Sequence, residues 1–174
     1  MMKYFELFEL PVSFHVDEAR LKTKFLQLSR DHHPDRFTLE SEERQEEALE
    51  QSTEINEGYK VLKDFDKRLQ YILQSKGALV GEGQDKLPQD FLMDMMDINE
   101  EIMDLQFDPD PEMTASAKQK ITAFEKTLQD SIAEVLSKPD AVHDESAIDA
   151  ARDYYLKKKY LTRIYENLDN VGRM

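Results

Sequence analysis

Few residues in this sequence are of the types that catalysis or metal binding requires. There are four histidines and no cysteine, which excludes disulfides, thiolate metal sites and cysteine nucleophiles. Carboxylates are plentiful, with 37 Asp and Glu against 23 Lys and Arg, and together with histidines on facing helices they could hold a pair of metal ions. That chemistry needs Glu-x-x-His pairs. The residues three before His15, His32, His33 and His143 are instead Val12, Ser29, Arg30 and Asp140, and the one acid among them falls in an expected loop. A Gly-rich phosphate loop and a Gly-x-Ser-x-Gly elbow are also missing. No catalytic residue, metal site or cofactor is therefore assigned, and the expectation is a binding protein and not an enzyme.

The stretch with the most distinctive chemistry is His32-His33-Pro34-Asp35-Arg36. Pro34 lacks a backbone donor and drives the preceding residue out of helical geometry, so a helix arriving from Asp31 must stop near His33. His33 and Asp35 are then presented to solvent at the tip of a helical hairpin. Around them, residues 18–36 carry five basic side chains, among them Lys22, Lys24, Arg30 and Arg36, against three acidic ones. Two readings fit: an ordinary solvated face, or a cationic track for an acidic groove on a partner. Proximity to the turn favours the track.

The elements that must position this turn are helices. Tyr4 to Leu10 is a short apolar segment ended by Pro11, and Asp17 can cap a helix over 18–31 in which Leu21, Phe25 and Leu28 share one face. Ser41 and a run of glutamates open a third helix, with Ala48, Ser52, Ile55, Tyr59 and Leu62 as its inward stripe. Two antiparallel helices with the short first segment across them make a small all-helical unit ending near Leu73. With Tyr4-Phe5-Glu6-Leu7-Phe8 before the turn, and Glu54 to Asp64, Lys67-Arg68 and Tyr71 after it, this unit resembles a J domain, the DnaJ-like module that stimulates the ATPase of Hsp70 chaperones. The resemblance implies that His33, Pro34 and Asp35 contact the Hsp70, Asp35 through a charge contact with one of its arginines. Lys22, Lys24, Arg30 and Arg36 are assigned weaker steering roles. Leu26 and Gln27 stand where general DnaJ proteins are basic, so the electrostatic contact differs in detail.

Residues 74–88 contain three of the five glycines, a clear break from the helical patterns on either side. The expected organisation is a J domain over 1–75, a linker over 76–88 short enough for rigid packing of the two halves, and a three-helix bundle over 89–174. The bundle helices are expected at about 89–107, 112–138 and 144–169. Phe91, Met95, Ile98, Ile102 and Leu105 should face inward from the first helix. The second should contribute Ile121, Phe124, Leu128, Ile132 and Val135, and the third Ala151, Tyr154, Leu161, Ile164 and Leu168.

The first bundle helix has more apolar surface than one inward face needs. At 100° per residue, Leu92, Met93, Met96, Met103 and Phe107 fall on a flank turned away from the core stripe, bordered by Asp97, Glu100 and Asp104. Buried, it would be a contact with the first domain or a wide core stripe. Exposed, it would be a docking site, since flexible thioethers suit a protein surface and an acidic rim steers a basic partner.

An N-terminal J domain, a short linker and a helical bundle with Leu92-Met93 and Met96-Asp97 near its start together resemble the HscB family, co-chaperones of iron-sulfur cluster assembly. The likeness spans essentially the whole chain. It implies that the bundle binds an IscU-type scaffold and the J domain recruits a specialised Hsp70 of the HscA type, which carries out any ATP hydrolysis. On this likeness the scaffold site comprises Leu92, Met93, Met96, Asp97, Glu100, Asp104 and Tyr160, the last matching an aromatic position within Lys157 to Ile164. A J protein carrying another client on the same bundle is the alternative. Met96 stands where an aliphatic residue is common.

A net charge of -14 argues against nucleic acid as a partner, because phosphate neutralisation needs a concentrated basic face. The apolar runs are too short to span a bilayer, and no signal or transit peptide precedes the first segment. Animal mitochondrial relatives add a Cys-rich segment that this Cys-free sequence lacks, so a bacterial cytoplasmic protein is expected.

Overall fold

The computed structural model describes residues 2–81 and 83–171. Among them the regular elements are all helical: α1 (Lys3–Leu7), α2 (Glu18–Asp31), α3 (Glu42–Lys63), α4 (Phe65–Ser75), α5 (Gln89–Asp94), α6 (Met96–Phe107), α7 (Pro111–Leu136) and α8 (Glu145–Asp169), with short 3₁₀ turns at Pro34–Phe37 and Ala141–His143. Side-chain caps explain most of the starts. Asp17 accepts from Arg20 N at 2.9 Å, Ser41 from Arg44 N at 3.3 Å and Asp144 from Ser146 N at 3.0 Å. Asp110 takes both Glu112 N and Met113 N, with Pro111 at the first helical position where a missing N–H costs nothing.

In the N-terminal half α2 and α3 run antiparallel, and Phe25 stacks on Tyr59 with ring centroids 4.0 Å apart. The short α1 lies over α3 where Gly58 leaves room for it: a Cβ at that position would come within 2.9 Å of both the Tyr4 and Phe8 rings. Phe5 and Phe8 are fully buried as a result. Arg68 is buried as well, its charge opposed by desolvation, and it donates to the carbonyls of Phe14 and Leu62. Those two bonds fasten the loop before α2 to the end of α3.

Two elements differ from the expected scheme. The expected unit ending near Leu73 holds a further helix that the sequence reading did not name: α3 stops at Lys63, and Asp64 swings to an extended conformation and caps a separate α4 by accepting from Lys67 N at 2.9 Å. Likewise the expected single helix over 89–107 is broken at Met95 into α5 and α6. Met95 is itself fully buried, and its backbone stays in the right-handed helical region, with i to i−4 bonds from Met95 N to Phe91 and from Asn99 N to Met95, so the covered faces continue across the break.

The apolar interior is also divided differently from the expected scheme. One core joins Phe5, Phe14, Leu21, Leu62 and Ile72 of the first half to Ile132, Leu136, Val142, Ala151 and Tyr154 of the second. The end of α7 and the start of α8 thus complete the J-domain side of the molecule, and Leu128 and Val135 pack there too. The other core lies at the far end of the same helices and holds Phe91, Met95, Ile102, Leu105, Ile121, Leu161 and Leu168. Phe65 meets Tyr154 edge-on, and Lys158 Nζ lies 2.6 Å from Asp66 Oδ2 across the junction. A shared interior and a polar tie thus join the two halves.

Candidate docking surfaces

The turn after α2 is set by three consecutive residues. His32 N still bonds the Leu28 carbonyl at 2.9 Å, but His33 is extended, and Pro34 opens the 3₁₀ turn. His33 Nδ1 accepts from Asp35 N at 3.3 Å, so the imidazole caps the turn that displays it. The Asp35 carboxylate lies 3.6 Å from the same nitrogen and is 87% exposed. His33 and Asp35 therefore stand at the hairpin tip in solvent, where the sequence places them.

Side chains on α3 hold the tip in place, and the motif alone does not show this. His32 Nδ1 lies 2.7 Å from Gln51 Oε1, and Gln45 Nε2 donates to the carbonyls of Thr38 and Glu40. The Arg44 guanidinium sits over the Phe37 ring. Sequence reasoning assigned no role to His32, Gln45 or Gln51. Polar residues on an exposed helix face give no periodic signal, although the second histidine beside the turn was in view.

The basic residues divide into two kinds. Lys22 and Arg30 are exposed, with no ion pair among the described residues. Lys24 is tied 2.8 Å from Glu9, and its hydrogen bond and charge hold the Glu9 carboxyl below its usual range. Arg20 donates to the Glu9 carbonyl at 2.8 Å, so Glu9, at φ 52°, is anchored by both side chains. Arg36 has a long pairing of 3.8 Å with Asp31. An incoming acidic surface would meet Lys22 and Arg30 first and would have to compete for Lys24.

The second surface is on α5 and α6. Phe91, Met95, Ile102 and Leu105 point into the core, and the opposite side is open: Leu92, Met93 and Met96 are 41%, 63% and 55% exposed. They are not covered by the first half of the chain. Asp97, Glu100 and Asp104 are exposed beside them. Tyr160 comes to the same place from α8. Its ring packs edge-on to Phe91 at 5.5 Å, and its hydroxyl accepts from Asn99 Nδ2 at 2.7 Å. Asn99, one turn beyond Met96, is a positioning residue that the sequence reading missed, because an amide in an acidic helix looks like ordinary solvated surface.

Among the described residues, no group of three or more His, Cys, Asp or Glu side chains converges in a way that could hold a metal ion, and no helix is long and apolar enough to cross a membrane. What the molecule offers are two surfaces suited to protein partners, one polar and one apolar.

Two families match successive parts of the chain. The DnaJ domain family matches residues 3–71, and the family described as the HSCB C-terminal oligomerisation domain matches residues 87–169. The co-chaperone protein HscB homolog of Vibrio atlanticus is 32% identical over 171 residues, covering 98% of this chain and 96% of its own length. The homolog from Shewanella amazonensis is 31% identical, with 98% and 97% covered. Among solved structures, the chaperone HscB from Vibrio cholerae superposes with a TM-score of 0.69 at 29% identity, covering 98% of this chain and 97% of that one. The human co-chaperone protein HscB gives a TM-score of 0.75 at 26% identity, with 95% and 80% covered. With relatives above 30% identity along nearly its whole length, a J domain carrying the His-Pro-Asp turn and a matching C-terminal helical domain, this chain belongs to the HscB family of J-domain co-chaperones.

Proposed function

We propose that this protein binds an IscU-type iron-sulfur scaffold on the open face of α5 and α6, delivers it to an HscA-type Hsp70, and stimulates that chaperone's ATPase through His33, Pro34 and Asp35. In this reading Leu92, Met93, Met96 and Tyr160 form the apolar centre of the scaffold site, with Asp97, Glu100 and Asp104 as its charged border. Lys22 and Arg30 steer the Hsp70, supported by Lys24 and Arg36 once their internal pairings yield. Residues 1–75 act as the J domain, 76–88 as the connection and 89–174 as the client-binding part. The chain hydrolyses nothing itself and works in the bacterial cytoplasm.

The observation that carries this reading is the exposure of Leu92, Met93 and Met96 beside Tyr160, which Asn99 and Phe91 hold in place, on different elements from the His-Pro-Asp turn. Core packing leaves these side chains in water, and apolar groups grouped in that way mark a site of association. The test is an Hsp70 ATPase assay with and without the scaffold. The chain should raise the rate alone and raise it further when scaffold is added. If it stimulates the Hsp70 but shows no response to the scaffold in the assay or in direct binding, the bundle carries a different client.

A further inference from the structure

The apolar face does not end at Met96. Met93, Met96, Glu100, Met103 and Phe107 follow one another at steps of three, four, three and four residues, the spacing that keeps successive side chains along one line of a helix. With Leu92 they fall within an arc of about 100° on the side opposite Phe91, Ile102 and Leu105. Met103 is 59% exposed and Phe107 87%. From Leu92 to Phe107 the strip is roughly 22 Å long at 1.5 Å per residue, with Glu100 as the one acid set into it.

Its two long edges differ. One edge carries Asp97 and Asp104, and neither they nor Glu100 has an ion pair among the described residues. Glu101, further round, is already engaged by Lys120 at 2.7 Å. The other edge is the hydrogen-bonded pair of Asn99 and Tyr160. A second copy of this chain fits poorly, because antiparallel pairing about Glu100 would set that carboxylate against its own mate and Asp97 and Asp104 against other acids. The net charge of -14 adds to the repulsion.

We propose that the docking strip runs the whole length of α5 and α6, with Met103 and Phe107 as a second apolar anchor, and that its occupant is an apolar ridge of the scaffold client carrying Lys or Arg along one flank. Glu100 selects for a cation near the middle of that ridge. This rests on the scaffold reading above and extends it to residues that reading does not use.

The test is a calorimetric titration of an IscU-type scaffold into the full chain, its Leu92→Ala/Met96→Ala variant and its Met103→Ala/Phe107→Ala variant, with melting curves and sedimentation for each. Met103→Ala/Phe107→Ala should weaken binding about tenfold or more, as loss of an interface anchor does, with an unchanged melting temperature. Glu100→Lys should weaken it more than Glu100→Gln. Wild-type affinity in Met103→Ala/Phe107→Ala, with strong loss in Leu92→Ala/Met96→Ala, would confine the site to the first turns and overturn this inference alone. Wild-type affinity in both variants, or no binding by the parent protein, would overturn the scaffold reading and this one with it. A parent dimer that Met103→Ala/Phe107→Ala converts to monomer would identify the occupant as a second copy and overturn the proposal.

Discussion

The His-Pro-Asp turn and the open face of α5 and α6 both meet solvent, but they are held there by different means. At the turn a few polar groups are fixed in position: His33 caps its own 3₁₀ turn, Gln51 holds His32, and Gln45 ties down the following loop. On the face, flexible Leu and Met side chains spread over several helical turns, and the fixed point is Tyr160, locked by Asn99 and Phe91 at one edge. A site built from hydrogen bonds presents a defined geometry, and single atoms matter in it. One built from thioethers presents area that can repack around its partner. The turn should therefore fail sharply under an isosteric change, while the face should fail in proportion to the apolar surface removed.

The sharpest break should come from Asp35→Asn, which keeps the shape of the side chain and removes its charge. A hydrogen bond to a charged group is worth roughly 1.5 to 3 kcal/mol, so Hsp70 ATPase stimulation should fall at least about tenfold. Melting should shift by no more than about 0.5 kcal/mol equivalent, since the group is exposed. Full stimulation by this variant would remove the turn from the account.

On the apolar side, Leu92→Ala/Met96→Ala should weaken scaffold binding by about 2 kcal/mol or more with thermal stability nearly unchanged. Phe91→Ala, beside Leu92 on α5 but facing the core, should do the reverse and cost roughly 3 to 5 kcal/mol of stability. Melting curves on the two variants sharpen the contrast between faces, and similar destabilisation in both would mean that Leu92 and Met96 are part of the core.

A smaller effect is expected at the clamp behind the turn. His32→Ala removes the bond to Gln51 and should cost about 1 kcal/mol of stability. It should lower ATPase stimulation only partly, because His33 and Asp35 remain, and should leave scaffold binding untouched.

The smallest effect concerns the tie between the halves. Burial opposes the Lys158 charge, but the hydrogen bond and charge of Asp66 outweigh it and leave the ammonium with a raised pKa. The folded protein therefore holds this proton more tightly than the unfolded chain does. That stabilisation is complete below the ordinary lysine value of 10.5 and is lost as pH rises through the raised one. The pair is partly exposed, so Lys158→Met should remove no more than about 1 kcal/mol, and the difference from wild type should shrink above pH 10.5 in denaturant titrations.

Much of this molecule was readable from its residues, and what escaped did so for identifiable reasons. The bounds of α2, the exposed turn and the outward flank of α5 and α6 followed from a cap, a proline and a 3.6-residue period, all of which are local. The start of α4 was missed because Asp64 interrupts the chain without a proline or glycine, and the apolar pattern runs on from Leu62 through Phe65 to Leu69. The break at Met95 leaves no sequence mark at all, since the backbone there stays helical. Ile132, Ala151 and Tyr154 are buried as expected, but the core they join also holds residues of the first half. Periodicity shows that a face is buried, but it does not say which neighbour buries it, and here the J-domain side does. Asn99 and Gln51 were invisible for the same reason, because each matters only through a partner far away in the chain.

The central claim is that one chain carries two separable docking surfaces. The most direct test is the Hsp70 ATPase rate measured against increasing scaffold concentration in the presence of the Leu92→Ala/Met96→Ala protein. The account predicts that the rise due to the co-chaperone alone is retained and that the further rise due to scaffold is lost at concentrations that saturate the wild type. A scaffold-dependent rise identical to that of the wild type would contradict it.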